Sequence, residues 1–121
     1  MSGVPILKLG DHLIVTLTPQ LSDSQWDRLR DSLLAKVGKV RATGAVIDVS
    51  AMEVMDSFAT RTLGAIALMM RLRGARCVVV GISPEVAYTM AQLGLKLHGT
   101  KTALDLEEGL ALLHAEPGPS A

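Results

Sequence analysis

Two short runs of small and β-branched apolar residues constrain the fold of this chain more than any other feature. GAVIDVS (44–50) and ARCVVVGI (75–82) read as buried strands, because each is short, apolar and bounded by glycine or serine. A segment with the helical spacing of apolar residues follows each of them. Since helical crossovers join parallel neighbours within one sheet, these units predict an α/β fold.

Further elements flank these two units. PILKL and HLIVTL, separated by Gly10 and Asp11, predict a β-hairpin at the start of the chain. The complete predicted order is β-β-α-β-α-β-α-(β)-α. It predicts a single mixed, mostly parallel β-sheet with four to five strands and about four helices. We expect one domain over residues 1–115 and a flexible C-terminal tail over 116–121.

Local signals predict where individual elements begin and end. SFATRTLGAIALMMRLRG (57–74) forms a helix that ends at Gly74. Its buried face is predicted to contain Ala59, Leu63, Ile66 and Met70.

The end of the chain carries weaker signals. A short last strand is expected within KLHG (96–99), and Thr102 with Asp105 forms a possible capping box for the final helix.

Composition narrows the class of function. Twelve basic and twelve acidic residues give a formal net charge of zero, which argues against a nucleic-acid surface or an electrostatic membrane anchor. No signal peptide or membrane span is predicted, so the protein is expected to be cytoplasmic. Cys77, the one cysteine, is expected to be a buried apolar residue. A hydrophobic content of 49% suggests that some apolar surface is buried against other chains.

Motifs typical of enzymes are missing from the sequence. No GxxxxGK[ST] or GxGxxG nucleotide loop and no GxSxG serine elbow occurs. His12, His98 and His114 lie far apart without metal-ligand spacing, so we interpret them as unrelated residues. Asp48 is assigned to turn formation and capping. We therefore expect no catalytic residues, no metal and no cofactor.

The stretch DVSAMEVMDSFATRTLG (48–64) carries the main candidate for a functional site. Ser57 lies where the strand-to-helix loop ends and the helix begins, next to Asp56. A serine there can cap the helix by accepting a hydrogen bond from an unpaired N–H group. The same donors and the positive helix end also favour a phosphoserine. The residues alone leave both interpretations open.

The element order, together with VMDSF, GISPEVAYTMAQLGL and TALDLEEGLALL, resembles the STAS family of sulfate-transporter tails and anti-sigma factor antagonists. The resemblance covers the chain from about Pro5 to His114. It implies that Ser57 is a phosphorylation site with Asp56 as its acidic neighbour. Many antagonists of the family have a second hydroxyl and a glycine after this serine, whereas this chain has Phe58 and Ala59. Asp-Ser-Phe at 56–58, together with PILKL, GAVIDVS and TALDLEEGL, looks most similar to the small single-domain subunit of the bacterial stressosome.

That resemblance implies a scaffold protein rather than an enzyme. Its implied partners are RsbR-like STAS paralogues, an RsbT-like switch kinase and a resetting phosphatase, within a homodimer and a large hetero-oligomer. The kinase would be held until Ser57 is phosphorylated, with Met55, Phe58 and Thr60 at the partner-binding surface. Two alternatives are a free antagonist that binds an anti-sigma factor directly and a ligand-binding accessory STAS module.

Overall fold

The computed structural model describes residues 4–97 and 100–115 of the 121-residue chain. The strands are β1 (Ile6–Leu9), β2 (His12–Thr16), β3 (Gly44–Asp48), β4 (Arg76–Val80) and β5 (Lys101–Ala103). The helices are α1 (Asp23–Val40), α2 (Ser57–Leu72), α3 (Pro84–Gln92) and α4 (Leu106–Ala115). The predicted tail, 116–121, lies outside the described residues.

The five strands form one sheet in the order β1-β2-β3-β4-β5. β1 and β2 are antiparallel, as the predicted hairpin requires, and the remaining neighbours are parallel. His12, Gly44 and Arg76 are aligned in register at the starts of β2, β3 and β4. The predicted mixed, mostly parallel α/β fold is confirmed.

The two faces of the sheet are covered unequally. The larger cluster joins the inner faces of α1 and α2 to one side of the central strands, and Val86 and Met90 of α3 complete it. Ala59, Leu63, Ile66 and Met70 are all buried in this cluster, as predicted. On the opposite face, α4 packs Leu113 with three valines of β3 and β4 (Val46, Val78 and Val80). Successive residues of a central strand point to opposite faces of the sheet, so two neighbours in the sequence contact different helices.

Cys77 lies in the larger cluster, and its Sγ is 3.5 Å from Sδ of Met70. Burial raises the pKa of Cys77 to about 12, so the thiol stays protonated at neutral pH. The predicted role of Cys77 as a buried apolar residue is confirmed.

Two predictions near the end of the chain are wrong in position. The last strand is Lys101–Ala103, because these residues pair with Val78–Val80 of β4. Lys96 and Leu97 are in a loop, and 98–99 lie outside the described residues. Thr102 is therefore a strand residue rather than a helix cap.

Asp105 caps α4 instead. Its Oδ1 accepts a hydrogen bond from the N–H of Glu108 at 2.9 Å, and Glu108 Oε1 accepts one from the N–H of Leu104 at 2.7 Å. The two carboxylates thus bond the backbone on either side of the helix start.

Candidate functional site

The loop between β3 and α2 is held against the carboxyl ends of the parallel strands. The backbone N–H of Val49 donates to the carbonyl of Val80 at 2.9 Å, which ties the loop to β4. Asp48 Oδ1 accepts from the N–H of Ser50 at 2.9 Å, and this bond closes a turn. The turn-forming role predicted for Asp48 is confirmed. The loop therefore leaves the sheet in a fixed direction.

The capping residue of α2 is Asp56, not Ser57. Asp56 has an extended backbone, and its Oδ1 accepts from the N–H of Ala59 at 2.8 Å. The N–H of Thr60 donates to the carbonyl of Asp56 at 2.9 Å, so Ser57 is already the first helical residue. The prediction that Ser57 caps α2 is wrong by one position. The capping residue and the candidate phosphate acceptor are therefore two different residues.

The predicted site residues divide between the surface and the interior. Asp56 is exposed, Ser57 is half-buried, and Phe58 keeps 42% of its surface in solvent. Met55 and Thr60 are only 1% and 2% exposed, because their side chains point beneath the helix start. The prediction that these two contact a partner does not fit this burial. Both side chains are instead buried in the interior underneath the start of α2.

An open groove of about 280 Å³ adjoins Asp56 and Phe58. It is lined by the β2–α1 loop, the first turns of α1, the β3–α2 loop and the start of α2 (Pro19, Gln20, Leu21, Asp23, Trp26, Met52, Glu53, Val54, Asp56, Phe58 and Ala59). The three charged residues in this lining, Asp23, Glu53 and Asp56, are all acidic. Val54, 62% exposed, and Phe58 add apolar surface beside them.

Sequence reasoning missed this groove. One wall ends at Trp26 and the other begins at Met52, so the two are far apart in the chain and no local pattern joins them. The signal available was that both loops follow the carboxyl ends of neighbouring parallel strands, where sites of α/β proteins usually form.

Two of the three histidines lie together at the opposite edge of the sheet. The ring centroids of His12, at the start of β2, and His114, in the last turn of α4, are 5.0 Å apart. The interpretation of the histidines as unrelated is therefore wrong for this pair, because α4 returns to the strand starts. His98 lies outside the described residues. Over residues 4–97 and 100–115, no group of three or more His, Cys, Asp or Glu side chains is arranged to hold a metal ion.

Comparison with known proteins defines the class to which this fold and junction belong. The family model for the STAS domain matches residues 4–109, and the chain belongs to this family. The chain is also similar to a serine-to-glutamate variant of RsbS from Moorella thermoacetica. The two are 41% identical, with a TM-score of 0.79 over 93% of this chain and 96% of that one. The predicted resemblance to the STAS family, and within it to the small stressosome subunit, is confirmed.

Two further relatives are informative. A chain from a structure describing the molecular architecture of the stressosome is 42% identical, with a TM-score of 0.77 over 91% of this chain and 96% of that one. The RsbT co-antagonist protein RsbRA of Bacillus subtilis is 27% identical over 109 residues, which is 89% of this chain. The chain spans about two fifths of the length of that curated relative. Among the helices in the described part of the chain, none is both long and apolar enough to cross a bilayer.

Proposed function

We propose that this protein is a cytoplasmic stressosome subunit that holds an RsbT-like switch kinase and releases it when Ser57 is phosphorylated. The observation that carries the proposal is the position of the half-buried Ser57 at the start of α2, between the exposed Asp56 and Phe58, in a chain 41% identical to RsbS. Similarity to a stressosome chain over 91% of the sequence supports the assembly role. The B. subtilis relative is named as a co-antagonist of RsbT, which supports the choice of kinase.

The helix start gives Ser57 a suitable setting for a phosphate acceptor. As the first helical residue it lies at the positive end of α2, whose first-turn N–H groups favour an anion. Asp56 already satisfies the N–H of Ala59, so the Ser57 hydroxyl is not needed as the cap. Phe58 follows directly and leaves a single hydroxyl at the junction.

The surroundings of Ser57 also explain how phosphorylation weakens a partner contact. Val54 and Phe58 offer apolar surface, whose burial favours binding of the unmodified protein. Phosphoserine carries a charge of about −1.5 to −2 at neutral pH. That charge would have to be desolvated at the interface, next to the carboxylate of the adjacent residue Asp56. A penalty of about 1.4 kcal/mol lowers affinity roughly tenfold, and about 3 kcal/mol lowers it more than a hundredfold.

Phosphosite mapping tests the acceptor. The purified protein is incubated with the RsbT-like kinase and ATP, and the products are analysed by mass spectrometry. We expect one phosphate, on Ser57, in the wild type and in Thr62→Ala, which removes a hydroxyl from the same helix. We expect none in Ser57→Ala. A phosphate on any other residue of the wild type contradicts the assignment.

Size-exclusion chromatography tests the assembly. We expect a very large particle when the protein is mixed with an RsbR-like paralogue. A small dimer that binds an anti-sigma factor directly would instead support a free antagonist. A ligand retained in native mass spectrometry would support an accessory binding module. A resetting phosphatase is the expected last partner, and its activity is measured on protein phosphorylated at Ser57.

A further inference from the structure

A cluster of titratable groups lies where β2, β3 and β4 begin, at the opposite end of these strands from Ser57. The proposed function does not use this cluster. His12, Asp11 and Arg76 lie at the starts of the strands, and His114 reaches them from the last turn of α4. These four residues line an open groove together with Thr43 and the apolar side chains of Leu9, Leu110 and Leu113. The cluster therefore lies where the C-terminal turn of α4 meets the sheet.

The contact between α4 and the strand starts is closely fitted. His12 is only 7% exposed, and its ring meets that of His114 at an interplanar angle of 72°. A Cβ atom at Gly44 would lie 3.1 Å from Cδ2 of His12 and 3.0 Å from both methyl carbons of Leu113. The glycine thus makes room for the imidazole and the leucine side by side. Arg76 Nη2 donates to the carbonyl of Leu113 at 2.9 Å, which fixes the same turn of the helix.

The charges around His12 disfavour its protonated form. Burial lowers the pKa of His12, and the neighbouring His114 and Arg76 lower it further. Asp11 acts in the opposite direction but does not offset the other three. At neutral pH the buried imidazole is therefore uncharged and tolerates the Arg76 guanidinium nearby.

We propose that the His12–His114 contact is a proton-sensitive latch that holds the last turn of α4 on the sheet and opens in mildly acidic conditions. A proton on His12 would be buried between α4 and the strands, facing His114 and Arg76, with Asp11 as the counter-charge among the described residues. Detaching the last turn of α4 hydrates the imidazole and separates it from His114. The open state would expose Leu113 and the edge of the valine cluster on β3 and β4, a face that only α4 covers among the described helices.

The sign of the pH dependence follows from proton binding in the two states. In the open state His12 titrates near its ordinary pKa of about 6.5, whereas in the closed state its pKa is lower. The open state therefore binds more protons below pH 6.5, and acid favours opening. Above that pH both states hold a neutral His12, so this group contributes no pH dependence.

Amide hydrogen exchange, read by NMR between pH 7.5 and 5.5, tests the latch. Over this range most carboxylates stay ionised, since their ordinary pKa values are about 4. After correction for intrinsic exchange, protection of residues 112–115 should fall by up to about tenfold per pH unit below 6.5. Amides of β4 in the same sample report global opening and should keep their protection. Loss of protection in β4 in parallel with α4 would overturn the proposal.

Two variants separate the latch from general acid sensitivity. His12→Phe keeps a ring against His114 but cannot bind a proton, so protection of the last turn should no longer depend on pH. His114→Phe changes an exposed side chain, folds without burying charge, and should reduce the pH dependence because one repulsive partner is gone. Unchanged pH dependence in His114→Phe or in a folded His12→Phe contradicts the proposal. So does a His12 imidazole that titrates at or above pH 6.5 in the native protein.

Discussion

At the start of α2, two adjacent side chains have different tasks. The Asp56 carboxylate is bonded to the helix backbone at 2.8 Å, while the Ser57 hydroxyl is one position further along, inside the first turn. A mutation at Asp56 can therefore change the cap, the local charge, or both. The two effects can be separated because asparagine caps helices about as well as aspartate.

We predict that Asp56→Ala destabilises the protein by about 1 kcal/mol, since the N–H of Ala59 loses its acceptor. Asp56→Asn should stay within about 0.5 kcal/mol of the wild type, because the amide oxygen replaces the carboxylate oxygen. Urea unfolding of the three proteins measures both differences. Equal destabilisation by the two substitutions would show that the charge, rather than the cap bond, stabilises the helix start.

Beneath this junction, the buried hydroxyl of Thr60 has no hydrogen-bond partner among the described residues. A buried unsatisfied polar atom is costly, and valine has nearly the same shape as threonine. We predict that Thr60→Val raises the free energy of unfolding by about 1 kcal/mol. Thr62→Val, at a half-buried position on the same helix, should change it by less than about 0.5 kcal/mol. Urea or thermal unfolding checks the pair, and a loss of stability in Thr60→Val would mean that the hydroxyl is satisfied.

The register of this helix start shows what the sequence can and cannot predict for single residues. Aspartate and serine are both good caps, so DS at a helix start identifies the junction but not which residue precedes the helix. The buried face formed by Ala59, Leu63 and Ile66 fixes the rotation of α2. With that rotation Asp56, not Ser57, is left with an extended backbone. Packing of α2 against the sheet therefore decides which of the two residues is the cap, and a local sequence pattern does not predict that packing.

Among the elements, α4 makes an unusually close approach to the sheet. A Cβ atom at Gly109 would lie 2.7 Å from Cγ1 of Val80, so only glycine allows the helix to sit at this distance. In an exposed helix, replacing glycine by alanine normally stabilises by about 0.5–1 kcal/mol. At Gly109 the clash opposes this gain.

Gly64 of α2 provides the matched control, because outside its own helical turn a Cβ atom there would meet no atom of the described residues within 4 Å. We predict that Gly64→Ala raises the free energy of unfolding by about 0.5–1 kcal/mol. Gly109→Ala should lower it by about 1–3 kcal/mol, the usual cost of overpacking. Denaturant unfolding distinguishes them by sign. Stabilisation by both substitutions would mean that α4 moves outward at no cost.

The order of elements was predictable because each central strand is a continuous apolar run followed by a helical pattern. β5 was not, because Lys101–Ala103 has only three residues and two of them are exposed. β5 forms because its backbone pairs with Val78–Val80. Pairing between distant segments produces no periodic pattern in the sequence, so it could not be predicted from Lys101–Ala103 alone. The same reasoning applies to the groove beside Ser57 and to the contact of His12 with His114, which both join distant segments.

Across the whole molecule, the candidate phosphorylation site and the histidine cluster lie at opposite edges of one sheet. Ser57 follows the carboxyl end of β3, whereas His12, Gly44 and Arg76 mark the strand starts. The buried central strands separate the two regions. A charge placed at Ser57 should therefore act on whatever contacts the α2 start, while the rest of the fold stays as it is.

This separation leads to a prediction about Ser57→Asp, which adds a fixed negative charge at the proposed kinase contact. We expect affinity for the RsbT-like kinase to fall between tenfold and a hundredfold, which corresponds to about 1.4–2.8 kcal/mol. Co-assembly with an RsbR-like paralogue should be unchanged, because the substitution leaves the core intact. Ser32→Asp, which adds the same charge at an exposed position of α1, should bind the kinase like the wild type. Titration calorimetry measures the affinities, and size-exclusion chromatography measures the particle.

The combination of outcomes identifies which part of the mechanism fails. If Ser57→Asp binds the kinase normally but still forms the large particle, the scaffold role stands and release by charge at this position is wrong. If Ser57→Asp and Ser32→Asp weaken the kinase equally, net charge rather than the α2 junction governs binding. Loss of the large particle in Ser57→Asp alone would place the subunit interface, instead of the kinase, over the start of α2. Only a selective loss of kinase binding supports Ser57 as a switch that acts through its immediate surface.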